Sequence, residues 1–220
     1  MDEYFNEFLN EEGFSPITSS IPVNEETLKH FHEKIPNKLK NYWVEYGFSG
    51  FAEGLFWIVN PQDYQNIVDK WLQKTPMWGR ENFYAIARSA FGELYIRGSQ
   101  SDSTTIIDPH LNNIIPGEAA KKTLSAEEID KAVGVFFMFK SKKRVDYYDK
   151  NNKPLFQRCL KKYGMLEHDE MYTFSPALAL GGIADINNIK KVKILEQLSI
   201  LCDLDTPVVL PSAGELFGSN

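Results

Sequence analysis

His168, Asp169 and Glu170 are adjacent, and their residue types come closest in this chain to a catalytic cluster. A histidine with two carboxylates could move protons in a hydrolytic reaction. That chemistry needs groups that face one another across a cleft, whereas neighbouring residues diverge on a helix and on a strand alike. No second cluster in the sequence clearly supplies the opposing half. We therefore predict no catalytic residue and keep a small hydrolase that uses these three residues as an alternative.

Metal and redox chemistry have weaker candidates. His30 and His32 are two residues apart, so they would point to different faces of a helix and cannot form the i, i+4 pair of a helical zinc site. Cys159 and Cys202 are isolated from one another and from any metal-binding or redox motif, which is typical of small core residues. The sequence therefore predicts no metal site and no cofactor.

The charge of the chain is acidic and unevenly distributed. The 220 residues carry a net charge of −6, and residues 1–70 contain twelve acids against five lysines. Residues 140–162 run the other way, with nine basic residues against two aspartates. An acidic protein is a poor general binder of nucleic acid and a suitable partner for a basic protein. No apolar run approaches the roughly 20 residues that span a bilayer, and the acidic N-terminus lacks a signal-peptide pattern, so we expect a cytoplasmic protein with no membrane partner.

Local signals place several helices. Asn24 is a suitable N-cap for a helix whose first turn is acidic. Asn60 followed by Pro61 is typical of a second helix start, and Ser125 with Glu128 forms the pattern of a capping box. Apolar residues at helical spacing follow each of these starts.

The middle of the chain changes to strand-like patterns. FYAIARSA, ELYIRG and TTIIDP, between residues 83 and 109, predict successive strands separated by turn residues. Helices come first, then strands, then helices again. This order predicts an α+β fold with a mainly antiparallel sheet and helices packed around it. We place the internal boundary between residues 1–78 and 79–220, and the two parts could share one core.

Three longer phrases resemble known bacterial families. LKNYWVEYGFSGFAEGLFWIVNPQDYQNIVDKWL, residues 39–72, resembles the GAD-like domain found in immunity proteins. FYAIARSAFGELYIRG (83–98) and YGMLEHDEMYTFSPALALGG (163–182) resemble the C-terminal domain that follows it in immunity proteins encoded beside type VI secretion DNase effectors. The resemblance implies a GAD-like part at 1–78 and an immunity-protein part at 79–220.

The same resemblance implies a non-catalytic, cytoplasmic protein that binds and neutralises a cognate nuclease toxin, by blocking its DNA-binding or active cleft. Nucleases usually present basic surfaces to DNA, so we expect acidic residues of the N-terminal part to oppose the toxin. Trp78 is the tryptophan best placed for a contact, because it lies in a loop and Trp is enriched in binding hot spots. The predicted partner-binding residues are Glu45, Glu53, Asp63, Asp69 and Trp78.

Two further expectations follow from the resemblance. The segment 169–182, DEMYTFSPALALGG, is interpreted as a structural signature whose apolar residues fill the core, with Glu170 paired to a buried donor such as Arg88. An RNA-associated scaffold stays open as an alternative, because of the GAD-like name and the basic segment 140–162. The net charge of −6 speaks against that alternative, and we expect no direct contact with nucleic acid.

Overall fold

The computed structural model describes residues 2–118, 123–212 and 215, and all structural statements refer to these. The helices are α1 (Glu3–Asn6), α2 (Glu25–His30), α3 (Asn37–Tyr46), α4 (Pro61–Leu72), α5 (Ala126–Met138), α6 (Lys142–Val145), α7 (Phe156–Tyr163) and α8 (Ile194–Leu204). The strands are β1 (Pro16–Ile21), β2 (Phe48–Phe51), β3 (Phe56–Ile58), β4 (Phe83–Ser89), β5 (Leu94–Gly98), β6 (Thr104–Asp108), β7 (Asn113–Ile115), β8 (Glu170–Phe174), β9 (Ile189–Lys193) and β10 (Val208–Val209).

Most of the described strands belong to one large sheet. Its order is β1-β2-β3-β4-β5-β6-β7-β10, so strands that follow one another in the chain are neighbours in space. The pairs from β1 to β7 are antiparallel, and β10 joins β7 in parallel. Strands β8 and β9 form a separate antiparallel pair. The predicted α+β fold with a mainly antiparallel sheet is confirmed.

The helix starts that were predicted from local signals are present. The Asn24 side chain accepts a hydrogen bond from the backbone N–H of Thr27 at 2.8 Å at the start of α2. The Asn60 side chain accepts from the N–H of Gln62 at 3.2 Å, with Pro61 as the first residue of α4. At the start of α5 the capping box is complete: the Ser125 side chain accepts from the N–H of Glu128, and the Glu128 side chain accepts from the N–H of Ser125. These caps satisfy N–H groups that have no partner inside their helices.

The core extends across the predicted boundary. Strands β4 and β5 are buried along their whole lengths, as central strands covered on both faces should be. The sheet continues directly from β3 to β4, across residues 78 and 79. One cluster of buried residues includes Phe5 near the N-terminus and Leu198 in α8. The two parts therefore share one core, while the boundary at 78–79 itself stays a prediction.

The hairpin of β8 and β9 packs against the turn between β4 and β5. The backbone N–H of Tyr172 donates to the carbonyl oxygen of Ala90 at 2.9 Å. Gly92 in that turn has a φ of +80°, and a Cβ there would lie 2.5 Å from the Cε of Met171. Glycine is favoured at this position mainly by its positive φ, and any side chain there would also displace the end of the Met171 side chain.

The structural interpretation of segment 169–182 holds for its first half. Met171, Tyr172 and Phe174 are buried, as expected. Leu180, which we also expected in the core, is 64% exposed, because the chain leaves the hairpin and forms a surface turn over Leu178–Leu180. The pairing of β8 with β9 ends at Phe174, and beyond it Ala177 and Leu178 are only partly buried against the core.

Candidate partner-binding cleft

Asp169 and Glu170, the two carboxylates next to His168, form ion pairs with lysines of β9. Asp169 Oδ2 lies 2.6 Å from Lys193 Nζ, and Glu170 Oε2 lies 3.1 Å from Lys191 Nζ. The hydrogen bond from Lys193 lowers the pKa of Asp169 below its usual value. The two acids face different lysines of the hairpin, and this arrangement supports a structural role for the segment.

Arg88 and Glu170 are not paired, so the expectation that joined them is wrong. Arg88 is fully buried, and its Nη2 donates to the backbone carbonyl oxygen of His168 at 2.9 Å. Its Nη1 donates to the carbonyl oxygen of Ser89 at 3.2 Å. Glu170 instead lies at the start of β8, where its register partner is Lys193 and its carboxylate reaches Lys191.

The described ranges contain neither a candidate metal site nor a helix that could span a membrane. In residues 2–118, 123–212 and 215, no three histidine, cysteine or acidic side chains come together in a way that could hold a metal ion. None of the helices in the same part of the chain is both long and apolar enough to cross a membrane.

A cleft of about 720 Å³ opens between α2, α4 and the segment 77–84 that leads into β4. One wall is a face of α4, formed by residues three or four positions apart that point the same way. These residues are Gln62, Gln65, Asp69 and Leu72. The opposite wall carries His30, Phe31 and Lys34, from the end of α2 and the turn after it. Cavities of this size are typical of binding sites.

Trp78 lies at the rim of this cleft. It is 52% exposed, whereas Trp43, Trp57 and Trp71 are buried. Its backbone N–H donates to the carbonyl oxygen of Thr75 at 3.2 Å, which fixes the turn that presents the indole ring. An exposed indole beside a concave surface is characteristic of a partner contact.

Two carboxylates line the cleft without an ion-pair partner among the described residues. Asp69 Oδ1 accepts a hydrogen bond from Gln65 Nε2 at 2.8 Å. Glu81 Oε2 accepts from the backbone N–H groups of Gln100 at 2.6 Å and Ser101 at 2.9 Å. These bonds orient both carboxylates and leave acceptor capacity on each, because an ionised carboxylate has about four lone-pair sites.

Tyr84 supplies a further polar atom to the cleft. Its side chain is only 9% exposed, and its ring packs edge-on against Phe31 with 5.6 Å between the ring centroids. Burial raises the pKa of Tyr84 above its usual value, so the hydroxyl stays protonated. Tyr84 is one of the residues that line the cleft, and no described residue forms a hydrogen bond with its hydroxyl. The ring is buried while the hydroxyl oxygen stays accessible from the cleft, so the hydroxyl can form a hydrogen bond with a polar ligand group.

The structure brings together two of the five predicted contact residues. Asp69 and Trp78 line the same cleft. Asp63 lines a smaller pocket of about 110 Å³ with Tyr64 and His168, where partial burial raises the pKa of its carboxyl. Asp63 and Asp69 are six positions apart on α4, so they lie on different faces of the helix and line different cavities.

The other two predicted residues lie at neither cavity. Glu45, near the end of α3, accepts a hydrogen bond from the Tyr46 hydroxyl at 2.9 Å. Glu53 accepts from Gln157 Nε2 at 2.7 Å, which ties it to α7. Both acids are exposed. Their role in binding a partner stays a prediction, as does the role of Asp63, Asp69 and Trp78.

Sequence reasoning did not identify Glu81 or Tyr84. The polar face of α4 was a usable signal, since Gln62, Gln65 and Asp69 recur on the side opposite the apolar stripe. Tyr84 occurs in a strand that reads as uniformly buried, so no pattern distinguishes its cleft-facing hydroxyl. Glu81 enters the cleft because it binds the 98–101 turn, a contact that only the folded chain reveals.

Comparison with known proteins agrees with this architecture. A family model for the GAD-like domain matches residues 3–111, and a model for the C-terminal domain of the T6SS immunity protein Tdi1 matches residues 130–205. No curated protein sequence matches the chain. The crystal structure of Atu4351 from Agrobacterium tumefaciens shares the fold, with a TM-score of 0.81 and 22% sequence identity over 91% of this chain and 89% of that chain.

The matches follow the order in which the two domains were expected. They support a role in immunity associated with the type VI secretion system (T6SS), and an immunity protein implies a toxin partner. The family does not by itself name that toxin. The chain therefore carries a GAD-like domain followed by a C-terminal domain of the T6SS immunity protein Tdi1 family.

Proposed function

We propose that this protein is a cytoplasmic, non-catalytic immunity protein that binds a DNase effector of a type VI secretion system and covers its DNA-binding or active cleft. The observation that carries the proposal is the match of residues 130–205 to the C-terminal domain of a T6SS immunity protein. This domain packs on the GAD-like domain through a common core, so the toxin would meet both as one rigid body.

Charge supports a nuclease as the toxin. A DNase must attract phosphates, so its DNA-binding surface is basic. Residues 1–70 of this protein contain twelve acids against five lysines, and Glu45, Glu53 and Asp63 are exposed. Opposite charges would speed association and would place the immunity protein over the surface that DNA needs.

The alternatives have less support. A hydrolase that used His168, Asp169 and Glu170 would rely on two carboxylates that form ion pairs with Lys193 and Lys191. An RNA-associated scaffold would rely on the basic segment 140–162. Two of its cations are occupied there, since Arg158 lies 2.6 Å from Asp149 and Lys150 lies 3.1 Å from Asp185.

The test is co-purification with the nuclease domain of a candidate cognate T6SS effector, followed by a DNA-cleavage assay on the complex. We expect a stable complex in which cleavage is abolished. We also expect the triple variant His168→Ala, Asp169→Ala, Glu170→Ala to inhibit as the unchanged protein does. Full cleavage without complex formation would overturn the proposal. If the unchanged protein inhibited cleavage and the triple variant folded but did not inhibit, the result would favour the hydrolase.

A further inference from the structure

We infer that the cleft between α2 and α4 is a receptor for an arginine side chain presented by the toxin. The source of that arginine rests on the proposed function. The chemistry of the cleft does not, because it follows from Asp69, Glu81, Tyr84 and Trp78. Asp69 on α4 and Glu81 and Tyr84 on the 77–84 segment supply acceptors, and Trp78 supplies an aromatic rim.

The acceptors match a guanidinium group. Arginine carries five N–H donors in a planar fork and no acceptor. Asp69 and Glu81 offer carboxylate oxygens that no described cation neutralises. The Tyr84 hydroxyl offers an oxygen that no described residue engages. A ligand made only of donors would satisfy all three side chains, and hydrogen bonds between charged partners are the stronger ones.

The apolar surfaces match the rest of an arginine side chain. A guanidinium plane stacks favourably on an indole ring, and Trp78 presents such a ring at the rim. The aliphatic stem of arginine needs apolar walls. The cleft provides them through Phe31, Leu72, Met77 and Phe83.

Anionic ligands fit the cleft poorly. Besides His30, Lys34 is the only basic residue among its lining residues in the described part of the chain. Lys34 Nζ lies 3.1 Å from His30 Nε2 and 5.9 Å from the Phe31 ring centroid, so it is already engaged at the α2 wall. A phosphate or carboxylate would also meet the two acids of the opposite side, Asp69 and Glu81, at a cost in repulsion.

The cleft can be tested without the toxin. The probe is N-acetyl-arginine amide, followed by NMR through the indole N–H signal of Trp78, which the Trp78→Phe variant assigns. N-acetyl-citrulline amide is a neutral control of similar shape, and N-acetyl-lysine amide tests the planar fork. We expect a saturable shift with the arginine probe alone, weakened about tenfold by Asp69→Asn and unchanged by Glu196→Gln, whose carboxylate lies outside the cleft. Equal shifts with citrulline or lysine, or none with arginine, would overturn the inference.

The second measurement uses the full protein and the nuclease domain of the candidate cognate effector. We expect Trp78→Ala to weaken the complex by about thirtyfold and Asp69→Asn by about tenfold. The control is Glu196→Gln, which neutralises an exposed acid of α8 away from the cleft and should leave the affinity almost unchanged. Normal affinity of both cleft variants would overturn the inference and leave the proposed function intact. Absence of any complex would overturn the proposed function, and the small-molecule titration would still decide the chemistry of the cleft.

Discussion

The guanidinium of Arg88 lies over the indole ring of Trp57, with 4.6 Å between Arg88 Cζ and the ring centroid. The two residues are register partners on β4 and β3, inside the GAD-like domain. The same guanidinium donates to the carbonyl oxygen of His168 in the C-terminal domain. One fully buried cation therefore joins the sheet of the first domain to the segment that carries the adjacent His-Asp-Glu residues, which explains why that segment is held in place.

Replacement of Arg88 should separate packing from hydrogen bonding. We expect Arg88→Ala to lower the free energy of unfolding by about 3 kcal/mol, because it leaves a cavity beside Trp57 and removes the donor to His168. Arg88→Met keeps most of the volume, so we expect a loss of about 1 kcal/mol from the unpaired carbonyl groups alone. Urea denaturation of both variants measures the difference. Equal losses would show that packing over the indole contributes nothing.

His110 should make stability depend on pH. Its ring is buried against Tyr147 and Phe174 and near Asp108, and burial lowers the pKa of His110 to about 4 from 6.5. Because the folded state has the lower pKa, the unfolded state binds more protons between these values. The stability that the neutral His110 contributes is fully present above pH 6.5 and is lost as the pH falls towards 4. The free energy of unfolding should decrease by about 3 kcal/mol over this range.

The measurement for His110 is the free energy of unfolding as a function of pH. The variant His110→Leu has no group that titrates at this position, so its curve should be flatter than that of the unchanged protein between pH 6.5 and 4. The comparison uses the slopes, and a constant loss from repacking therefore does not affect it. Parallel curves would contradict the buried neutral histidine.

Helix starts could be predicted because their causes are local. Asn24, Asn60 and Ser125 cap helices through N–H groups two or three residues away, so the sequence contains both partners. The hairpin of β8 and β9 was harder. Residues 189–193 have the sequence IKKVK, and Val192 fits the apolar spacing of the helix that follows. From the sequence alone, that helix, α8, would be predicted to begin before its actual start at Ile194. Pairing with Met171, twenty-one positions earlier in the chain, makes Val192 part of a strand.

The cleft shows the same limit. Asp69 and Trp78 could be proposed one by one, from a charged helix face and from a tryptophan in a loop. That they share a cavity depends on how α4 and the 77–84 segment pack around α2. Tyr84 and Glu81 join them through tertiary contacts, for which a single sequence has no periodic signal.

Lys70 should stabilise the contact between the two matched domains. Its Nζ lies 2.6 Å from Asp203 Oδ2 and donates to Ser199 Oγ at 2.7 Å, so it links α4 to α8. We expect Lys70→Met to lower the free energy of unfolding, because the Lys70 side chain is mostly buried and also donates to Ser199, although Asp203 is exposed and the ion pair itself contributes little. The control is Lys29→Met, which breaks a highly exposed pair with Glu25 and should have almost no effect. Similar changes in both variants would mean that the α4–α8 link adds no stability.

The acidic surface can be tested by charge reversal. If the N-terminal acids oppose a basic nuclease surface, the double variant Glu45→Lys, Asp63→Lys should weaken the complex, with most of the effect on the association rate at low salt. Glu196→Lys reverses an exposed acid of α8 and is the matched control, which should bind almost normally. Stopped-flow or surface-plasmon measurements at two salt concentrations give both rates. If the double variant associates as fast as the control, Glu45 and Asp63 lie outside the contact. Toxin binding would then depend on another face, and the α2–α4 cleft with Asp69 and Trp78 would be the next to vary.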